Sequence, residues 1–222
     1  MCLILLAWRV DKDHRLVVAA NRDEFHARPA APAAFWKDRP SILAGRDLEA
    51  GGTWMGVSRN GKFAAVTNYR GAREPRAAQS RGALVTGFLD GGQPPGPYMS
   101  GVSEKSASYS GFNLLASDGN ELWWMSNRGG EPRRLEAGVY GLGNTLLDAP
   151  EVAASKQRFA EALRAGPALE ALFSVLNEAR IVDPRYGTRC STVLVADGGR
   201  TRYAERSFSP EGEAQDTLRY EL

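Results

Sequence analysis

Short apolar runs alternate with polar turns along most of the chain, and this pattern predicts a series of β-hairpins. The apolar runs are partly β-branched, and the turns between them are rich in Asp, Asn and Gly. The Asn60-Gly61 dipeptide is the strongest of these turn signals. The predicted strand pairs are 2–10 with 16–20, 54–58 with 62–69, 112–117 with 121–127, and 192–196 with 202–208. The strands that start near Cys2 and Thr192 are apolar on both faces, which predicts burial on both sides.

Three further segments carry apolar side chains at helical spacing and predict helices at 80–89, 151–165 and 168–179. In the second, Val152, Phe159 and Leu163 share one face, and a proline just before the segment is a start signal. The stretch 91–97, rich in glycine and proline, predicts a surface loop. Antiparallel hairpins with segregated helices indicate an α+β protein, a four-layer αββα sandwich that forms one domain over residues 1–222.

Composition and charge narrow the class of protein. The chain has 222 residues, 43% of them hydrophobic and 24% charged, with a net charge of +2, as soluble globular proteins do. It has no run of Lys or Arg, so we expect neither a nucleic-acid partner nor a membrane-surface helix. The apolar run 2–8 is too short to span a bilayer and is followed at once by charged residues, so neither membrane insertion nor a secretory signal is predicted.

Cysteine and histidine usage predicts a cytoplasmic protein without a resident metal or cofactor. The two cysteines, Cys2 and Cys190, do not suggest a disulfide framework, which fits a reducing compartment. The two histidines, His14 and His26, lie outside any zinc-ligand spacing, and no Cys-x-x-Cys sequence occurs. We therefore expect a small-molecule substrate or ligand as the partner. The sequence leaves the oligomeric state open.

The first predicted hairpin carries Cys2 to the polar Asn-Arg-Asp-Glu sequence that follows the second strand. If Val10 pairs with Leu16, Cys2 lies opposite Glu24, and a one-residue slip sets it opposite Asp23. Directly opposed Cβ atoms in such a pair are about 4.5–5.5 Å apart. Either register therefore predicts that Cys2 lies beside this cluster.

That proximity has a chemical consequence if Met1 is removed, because Cys2 would then carry both a thiol and a free α-amine. Their ordinary pKa values are about 8.5 and about 7.7–8.0, so the amine can take the proton of the thiol. Asp23 beside the amine would orient this base, which gives the nucleophile, base and orienter of an acyl-transfer site. Asn68 and Asn144 are neutral donors that could stabilise the developing oxyanion.

Each of these residues also has a structural interpretation that the sequence leaves open. A cysteine near a chain start is often a small buried hydrophobic residue, and Asn21, Asp23 and Glu24 could simply end a strand. Arg22 could do no more than neutralise the two carboxylates. Asn68 is equally suited to terminate its own strand.

Several motifs resemble one family. The segments MCLILLAW, AANRDEFHARPA, GGTW, TNYR, GLGNT and YGTRCSTVLVAD occur in the order typical of the NRDE family, also called the transport and Golgi organisation protein two family. In its N-terminal pattern that family is similar to the N-terminal nucleophile hydrolases of the penicillin V acylase and bile salt hydrolase type. The resemblance implies the four-layer αββα fold, with Cys2 as nucleophile, Asp23 as orienting carboxylate, and Asn68 and Asn144 as oxyanion donors.

One departure from the hydrolase pattern concerns an arginine. The bile salt hydrolase group has arginine immediately before its Asn-x-Asp sequence, where this chain has Ala20. On a strand, Arg22 would point away from Asn21 and Asp23, so Arg189 from the late strand is the predicted substitute.

We therefore predict an amidohydrolase that uses Cys2 on a small amide. The alternative is a non-catalytic carrier or chaperone for haem or a lipid-like ligand, because eukaryotic members of the family are linked to secretory organisation, lipid metabolism and haem trafficking. A third interpretation is an assembly or scaffold protein. The predicted catalytic residues are Cys2, Asn21, Asp23, Asn68 and Asn144, and those predicted to contact substrate are Arg22, Phe25, Trp54, Tyr69 and Arg189.

Overall fold

The structure is a computed structural model that describes residues 2–71 and 77–222. The strands in this part of the chain are β1 (Leu3–Trp8), β2 (His14–Phe25), β3 (Ala30–Phe35), β4 (Ile42–Asp47), β5 (Met55–Ser58), β6 (Phe63–Asn68), β7 (Phe112–Ser117), β8 (Leu122–Ser126), β9 (Arg133–Arg134), β10 (Gly138–Leu142), β11 (Tyr186–Asp197), β12 (Arg200–Phe208) and β13 (Ala214–Glu221). The helices are α1 (Gly82–Asp90), α2 (Pro95–Glu104), α3 (Ala153–Arg164) and α4 (Leu169–Asn177).

The α+β class is confirmed, since every predicted hairpin and all three predicted helices occur near their predicted positions. The predicted loop at 91–97 is wrong at its end, because α2 begins at Pro95. Proline suits the first turn of a helix, because a backbone N–H at that position would have no acceptor within the helix. The sequence pattern also missed β3, whose AAPAAF sequence has low strand propensity. Pro32 is tolerated there because β3 is an edge strand with an irregular register.

The described chain forms two compact units, and each is one antiparallel sheet covered by helices. The first unit comprises the residues up to 28 together with 137–143 and 147–222. The second comprises 29–136 and 144–146. The prediction of one domain over 1–222 stays a prediction.

In the first unit, six strands pair in the order β10-β1-β2-β11-β12-β13, and α3 and α4 pack on one face. The buried side chains of that layer include Leu5, Val17 and Val193 from the sheet, Phe159 from α3, and Leu172, Phe173 and Leu176 from α4. These are the apolar faces that the helical spacing predicts. Each such side chain stabilises the fold by about 1.5–3 kcal/mol when it is fully buried.

In the second unit, seven strands pair in the order β3-β4-β5-β6-β7-β8-β9, and α1 and α2 pack on one face. Lys62, just before β6, is buried, and its Nζ donates to the carbonyl oxygens of Phe88 (3.3 Å), Gly91 (2.6 Å) and Gln93 (2.9 Å). These carbonyls lie at the end of α1, where helical backbone oxygens lack partners within the helix. Burial lowers the pKa of Lys62. This lysine therefore caps α1 from the neighbouring strand.

The register of the first hairpin differs from the predicted one by two residues. Leu3 pairs with Asn21 and Trp8 with Leu16, so β1 ends before Val10. The cause is the turn: Arg9 has a φ of 50°, and the carboxylate of Asp11 accepts the backbone N–H groups of the two residues that lead into β2. A shift of two leaves each side chain on its predicted face. It moves Cys2 from the level of Glu24 to the level of Arg22.

No helix among the described residues is both long enough and apolar enough to cross a bilayer.

A polar side chain in the first unit ties α4 to the sheet. Asn21 is buried, and its amide donates to the carbonyl oxygen of Leu176 near the end of α4 at 3.0 Å. Its Oδ1 accepts the hydroxyl of Ser191 on β11 at 2.6 Å. Asn21 therefore joins three elements by hydrogen bonds that no water can replace without opening the core.

We expect Asn21→Ala to lower the free energy of unfolding by about 2–4 kcal/mol, because two buried polar partners lose their hydrogen bonds. Urea denaturation followed by circular dichroism measures this change. The matched control is Asn177→Ala, an exposed asparagine at the end of α4, for which we expect a change within about 0.5 kcal/mol. Equal losses in the two variants would contradict a tying role for Asn21.

Candidate functional site

Cys2 lies beside the end of β2, in contact with the backbone of Asp23. The thiol is half-buried, and its Sγ lies 3.4 Å from both the backbone nitrogen and the carbonyl oxygen of Asp23. The amide N–H donates to sulfur, and the S–H donates to the carbonyl. The structure thus brings Cys2 to the Asn-Arg-Asp-Glu cluster, in the register that pairs Leu3 with Asn21. A thiolate formed here would keep the amide of Asp23 as a donor.

The surroundings of Cys2 include groups that raise the pKa of its thiol and groups that lower it. Burial and the nearby negative charge of Asp23 raise the pKa of the thiol. The hydrogen bond from the Asp23 amide and the positive charge of Arg22 oppose this, but the net shift is upward. The thiol is therefore protonated near neutral pH in this environment, so a nucleophilic role requires a base that removes the proton.

The carboxylate of Asp23 is held by the neighbouring strand. Asp23 is buried, and its Oδ1 accepts the hydroxyl of Thr188 at 2.6 Å. The same hydroxyl oxygen accepts the backbone N–H of Ile181, and the Asp23 carbonyl accepts the phenol of Tyr186 at 3.3 Å. These bonds fix both the side chain and the backbone of Asp23, as an orienting carboxylate requires.

Arg22 points to the opposite face of β2 from Asn21, as the alternation of the strand predicts. It is level with Cys2 at the start of β1 and pairs with Cys190 on β11, and only 7% of it is exposed. Its charge lowers the pKa of both thiols, against the larger effect of burial. Its guanidinium Nη2 is 3.8 Å from a carboxylate oxygen of Glu24.

Arg189, the predicted substitute for the arginine that Ala20 replaces, holds the chain that follows β2. It lies at the irregularity in the β2–β11 register, and its Nη1 donates to the carbonyl oxygens of Phe25 (3.1 Å), His26 (3.3 Å) and Arg28 (3.1 Å). Burial, and next the charge of Arg22, lower the pKa of Arg189. Its guanidinium thus fixes the segment that carries Phe25.

The remaining predicted site residues lie in the second unit. Nδ2 of Asn144 donates to the carbonyl oxygen of Asn68 at 2.8 Å, so these two asparagines are joined. The backbone N–H of Tyr69 donates to the carbonyl oxygen of Gly111, and Trp54 covers the Cα of Gly45 with its ring. The structure therefore gathers Asn68 and Asn144 as a pair and gives Trp54 a packing role within its own sheet.

Sequence reasoning missed a set of buried polar residues on β11 and β12. Thr188 and Ser191 bind the site residues of β2, and Thr192 donates to a carboxylate oxygen of Glu205 at 3.3 Å. Glu205 is 1% exposed. The burial of Cys190 and the negative charge of Glu205 raise the pKa of Cys190 well above its usual range. The signal in the sequence was TRCST, a polar run inside an otherwise apolar strand. Cys190 is accordingly a protected thiol.

The residues that could hold a metal or haem iron are dispersed. In residues 2–71 and 77–222, no three His, Cys, Asp or Glu side chains are grouped as metal ligands would be. The ring of His14 is hydrogen-bonded to the carboxylate of Asp11, and Nε2 of His26 to the carbonyl oxygen of Asp183.

Two solved structures share this fold. A Caenorhabditis elegans N-acylethanolamine-hydrolyzing acid amidase ortholog covers 87% of this chain and 92% of its own length, with a TM-score of 0.53 and 11% identity. A mutant of the conjugated bile acid hydrolase from Clostridium perfringens covers 99% and 96%, with a TM-score of 0.56 and 10% identity. At such low identity these similarities concern the fold alone, and they agree with the predicted N-terminal nucleophile hydrolase architecture.

Sequence comparison identifies the family. The family model described as Transport and Golgi organisation 2 matches residues 1–184. The Transport and Golgi organization protein 2 homolog of Bos taurus is 38% identical over 94% of this chain and 93% of its own length, and the Mus musculus homolog is 36% identical over 100% and 96%. The similarity to the NRDE family is thus confirmed, and the chain belongs to the Transport and Golgi organisation 2 family.

Proposed function

We propose that Cys2, once Met1 is removed, is the nucleophile of an amidohydrolase that cleaves a small amide. The observation that carries the proposal is the position of the Cys2 sulfur, 3.4 Å from the backbone of Asp23, at a point where the chain would begin with a free amine. The fold is shared with two proteins named as an amidase and a conjugated bile acid hydrolase, which supports amide cleavage as the reaction class.

The reaction begins when the α-amine of Cys2 takes the proton of the thiol. The thiolate attacks the amide carbonyl carbon, so an S–C bond forms and the carbonyl oxygen becomes an oxyanion. The C–N bond then breaks, and the leaving amine takes the proton from the α-ammonium group. Water, activated by the same amine, hydrolyses the thioester and releases a carboxylic acid and the thiol. Asp23, held by Thr188, orients the ammonium group during both proton transfers.

Arg22 supplies the positive charge that Ala20 cannot. It is buried on the strand next to Cys2 and at the same level, and its charge favours the thiolate. Arg189 is less suited to this task, because its Nη1 donates to three backbone carbonyls. We therefore assign the stabilisation of the thiolate to Arg22, since this chain has Ala20 where the bile salt hydrolase group has an arginine.

Asn68 and Asn144 remain our proposed oxyanion donors, and Trp54, Tyr69 and Phe25 the proposed substrate contacts. The hydrogen bond between the two asparagines means that a substitution at one disturbs the other. Kinetic tests of either residue therefore need a parallel measurement of folding. A cytoplasmic location also remains part of the proposal.

The alternative is a carrier for haem or a lipid-like ligand that keeps the fold without the chemistry. Ala20 in place of the expected arginine is the observation that motivates it. The two functions differ in what they require of Cys2: the hydrolase needs a reactive thiol and a free amine, and a carrier needs neither.

We expect brief treatment of the folded protein with iodoacetamide near neutral pH to give one rapid adduct, at Cys2, on a chain that has lost Met1. Cys190 should stay unmodified, because it is buried and its pKa is raised well above the usual range. Intact-mass spectrometry followed by peptide mapping measures both. Cys2→Ala is the control and should give no rapid adduct. Retention of Met1, or an inert Cys2 in folded protein, would exclude the hydrolase and favour the carrier.

We expect Arg22→Gln to raise the pH midpoint of Cys2 alkylation by about 0.5–1 unit, because the lost charge had favoured the thiolate. Alkylation at a fixed pH below the midpoint would then be slower. Arg22→Lys keeps the charge, so its midpoint should lie close to that of the wild type. The matched control is Arg15→Gln, an exposed arginine on β2, which should leave the midpoint unchanged. An unaltered midpoint in folded Arg22→Gln would remove Arg22 from the mechanism.

A further inference from the structure

A cavity of about 550 Å³ opens in the first unit, where β2 ends and β11 begins. Residues 25–27 form one wall and residues 183–186 the other. The volume is within the range of about 300–1,000 Å³ that small-molecule sites occupy. The cavity therefore has the size to hold a ligand with one or two rings.

The walls of the cavity are held in place by hydrogen bonds. Oδ1 of Asp183 accepts the backbone N–H groups of Arg185 (3.0 Å) and Tyr186 (3.2 Å), which closes a tight turn and lowers the pKa of the carboxyl. The backbone N–H of His26 donates to the carbonyl oxygen of Arg185 at 3.0 Å, and Nε2 of His26 donates to that of Asp183 at 3.1 Å. The two walls are thus tied to each other before any ligand arrives.

Two aromatic rings line the cavity. Phe25 and Tyr186 meet edge to face, with ring centroids 5.1 Å apart and an angle of 73° between the rings. Phe25 is 59% exposed, the largest exposed fraction among the exposed large hydrophobic side chains of the described residues. Arg189 holds the backbone of Phe25 and so fixes where this ring lies. A planar ring can stack on the exposed ring of Phe25, since aromatic rings attract one another in offset-stacked and edge-to-face arrangements.

Two side chains of opposite charge, Asp183 and Arg185, line the cavity. Asp183 directs a carboxylate oxygen at the amides of its own turn, which takes up much of its capacity as an acceptor. The guanidinium of Arg185 is exposed, and its charge contributes to the lowered pKa of Asp183, but its N–H groups make no hydrogen bond with any part of the chain that the structure describes. Arginine presents a planar set of donors that matches a carboxylate. The cavity thus combines two aromatic rings with a guanidinium whose N–H donors are available to a ligand carboxylate, while the hydrogen bonds within its own turn occupy Oδ1 of Asp183.

A single backbone carbonyl separates the cavity from the proposed nucleophile. The carbonyl oxygen of Asp23 accepts the thiol of Cys2 at 3.4 Å and the phenol of Tyr186 at 3.3 Å. Phe25 follows two residues later on β2, a distance of roughly 7 Å along a strand. The Cys2 thiol and the Tyr186 phenol therefore meet at the same carbonyl oxygen, although Cys2 is not among the residues that line the cavity.

We propose that this cavity binds a planar aromatic ring carrying a carboxylate, with the ring against Phe25 and Tyr186 and the carboxylate on Arg185. When Cys2 reacts with its substrate, the cavity holds the portion of the substrate next to the scissile amide. The substrate class is accordingly an amide of an aromatic acid or amine that bears a free carboxylate. This assignment rests on the proposed function for its role in catalysis, but the binding itself does not require Cys2 to react.

Equilibrium binding of 2-naphthoate, with 2-naphthamide as its neutral analogue, tests the ligand class by calorimetry or ligand-observed NMR. We expect naphthoate to bind about threefold or more tightly than naphthamide, and the preference to disappear in Arg185→Gln. Arg164→Gln is the matched control: it removes an exposed arginine of α3 in the same unit and should keep the preference. Equal binding of the two probes, or loss of the preference in both variants, would overturn the proposal.

Alkylation of Cys2 by iodoacetamide in the presence of saturating naphthoate tests the link to the nucleophile. We expect naphthoate to slow alkylation in the wild type, and at the same concentration to do so much less in Arg185→Gln. If Cys2 is alkylated but naphthoate shows no preference over naphthamide, the cavity assignment fails and the hydrolase stands. If naphthoate is preferred but Cys2 is inert, the ligand class stands and the hydrolase fails. Full alkylation rates with naphthoate bound would show that the cavity does not reach Cys2, and would overturn its place in the substrate site.

Discussion

The pairing of β2 with β1 on one side and β11 on the other is the constraint on which the site depends. β2 is buried for most of its length, and its hydrogen bonds to both neighbours define one register, with Leu3 and Ser191 both paired to Asn21. A slip of one residue would place every side chain of the strand on the wrong face. That register alone sets the start of the chain beside Arg22 and Asp23.

Buried polar groups reinforce this register because each has a partner at one position only. Asn21 bonds to α4 and to Ser191, and Asp23 bonds to Thr188. A polar group buried without such a bond costs about 1–3 kcal/mol, so any alternative pairing of the strands loses several of these bonds at once. The same bonds that specify the sheet also hold the carboxylate and backbone beside Cys2. Stability and the geometry of the site are therefore not separable here.

The two cysteines show how position in one sheet decides the chemistry of a thiol. Both are close enough to Arg22 for its charge to lower their pKa values, and in both burial prevails. Cys190 is enclosed beside Glu205, which raises its pKa further, whereas Cys2 is half-buried at the start of the chain. The Cys190 thiol is thereby kept from solvent, whereas the Cys2 thiol stays partly exposed.

The sequence by itself determined the hairpins, the apolar faces of three helices and the approach of Cys2 to the cluster at the end of β2, because these depend on local periodicity and turn chemistry. It did not determine the register, because the positive φ of Arg9 and the carboxylate of Asp11 shift the turn by two residues. Nor did it reveal edge strands such as β3, whose order comes from their neighbours rather than from their own propensity. The partners of the site, Thr188 for Asp23, Tyr186 for its carbonyl and three backbone carbonyls for Arg189, were decided only by tertiary structure. They lie more than 160 residues from the groups they bind, and a hydrogen bond over such a separation leaves no periodic signal in the chain.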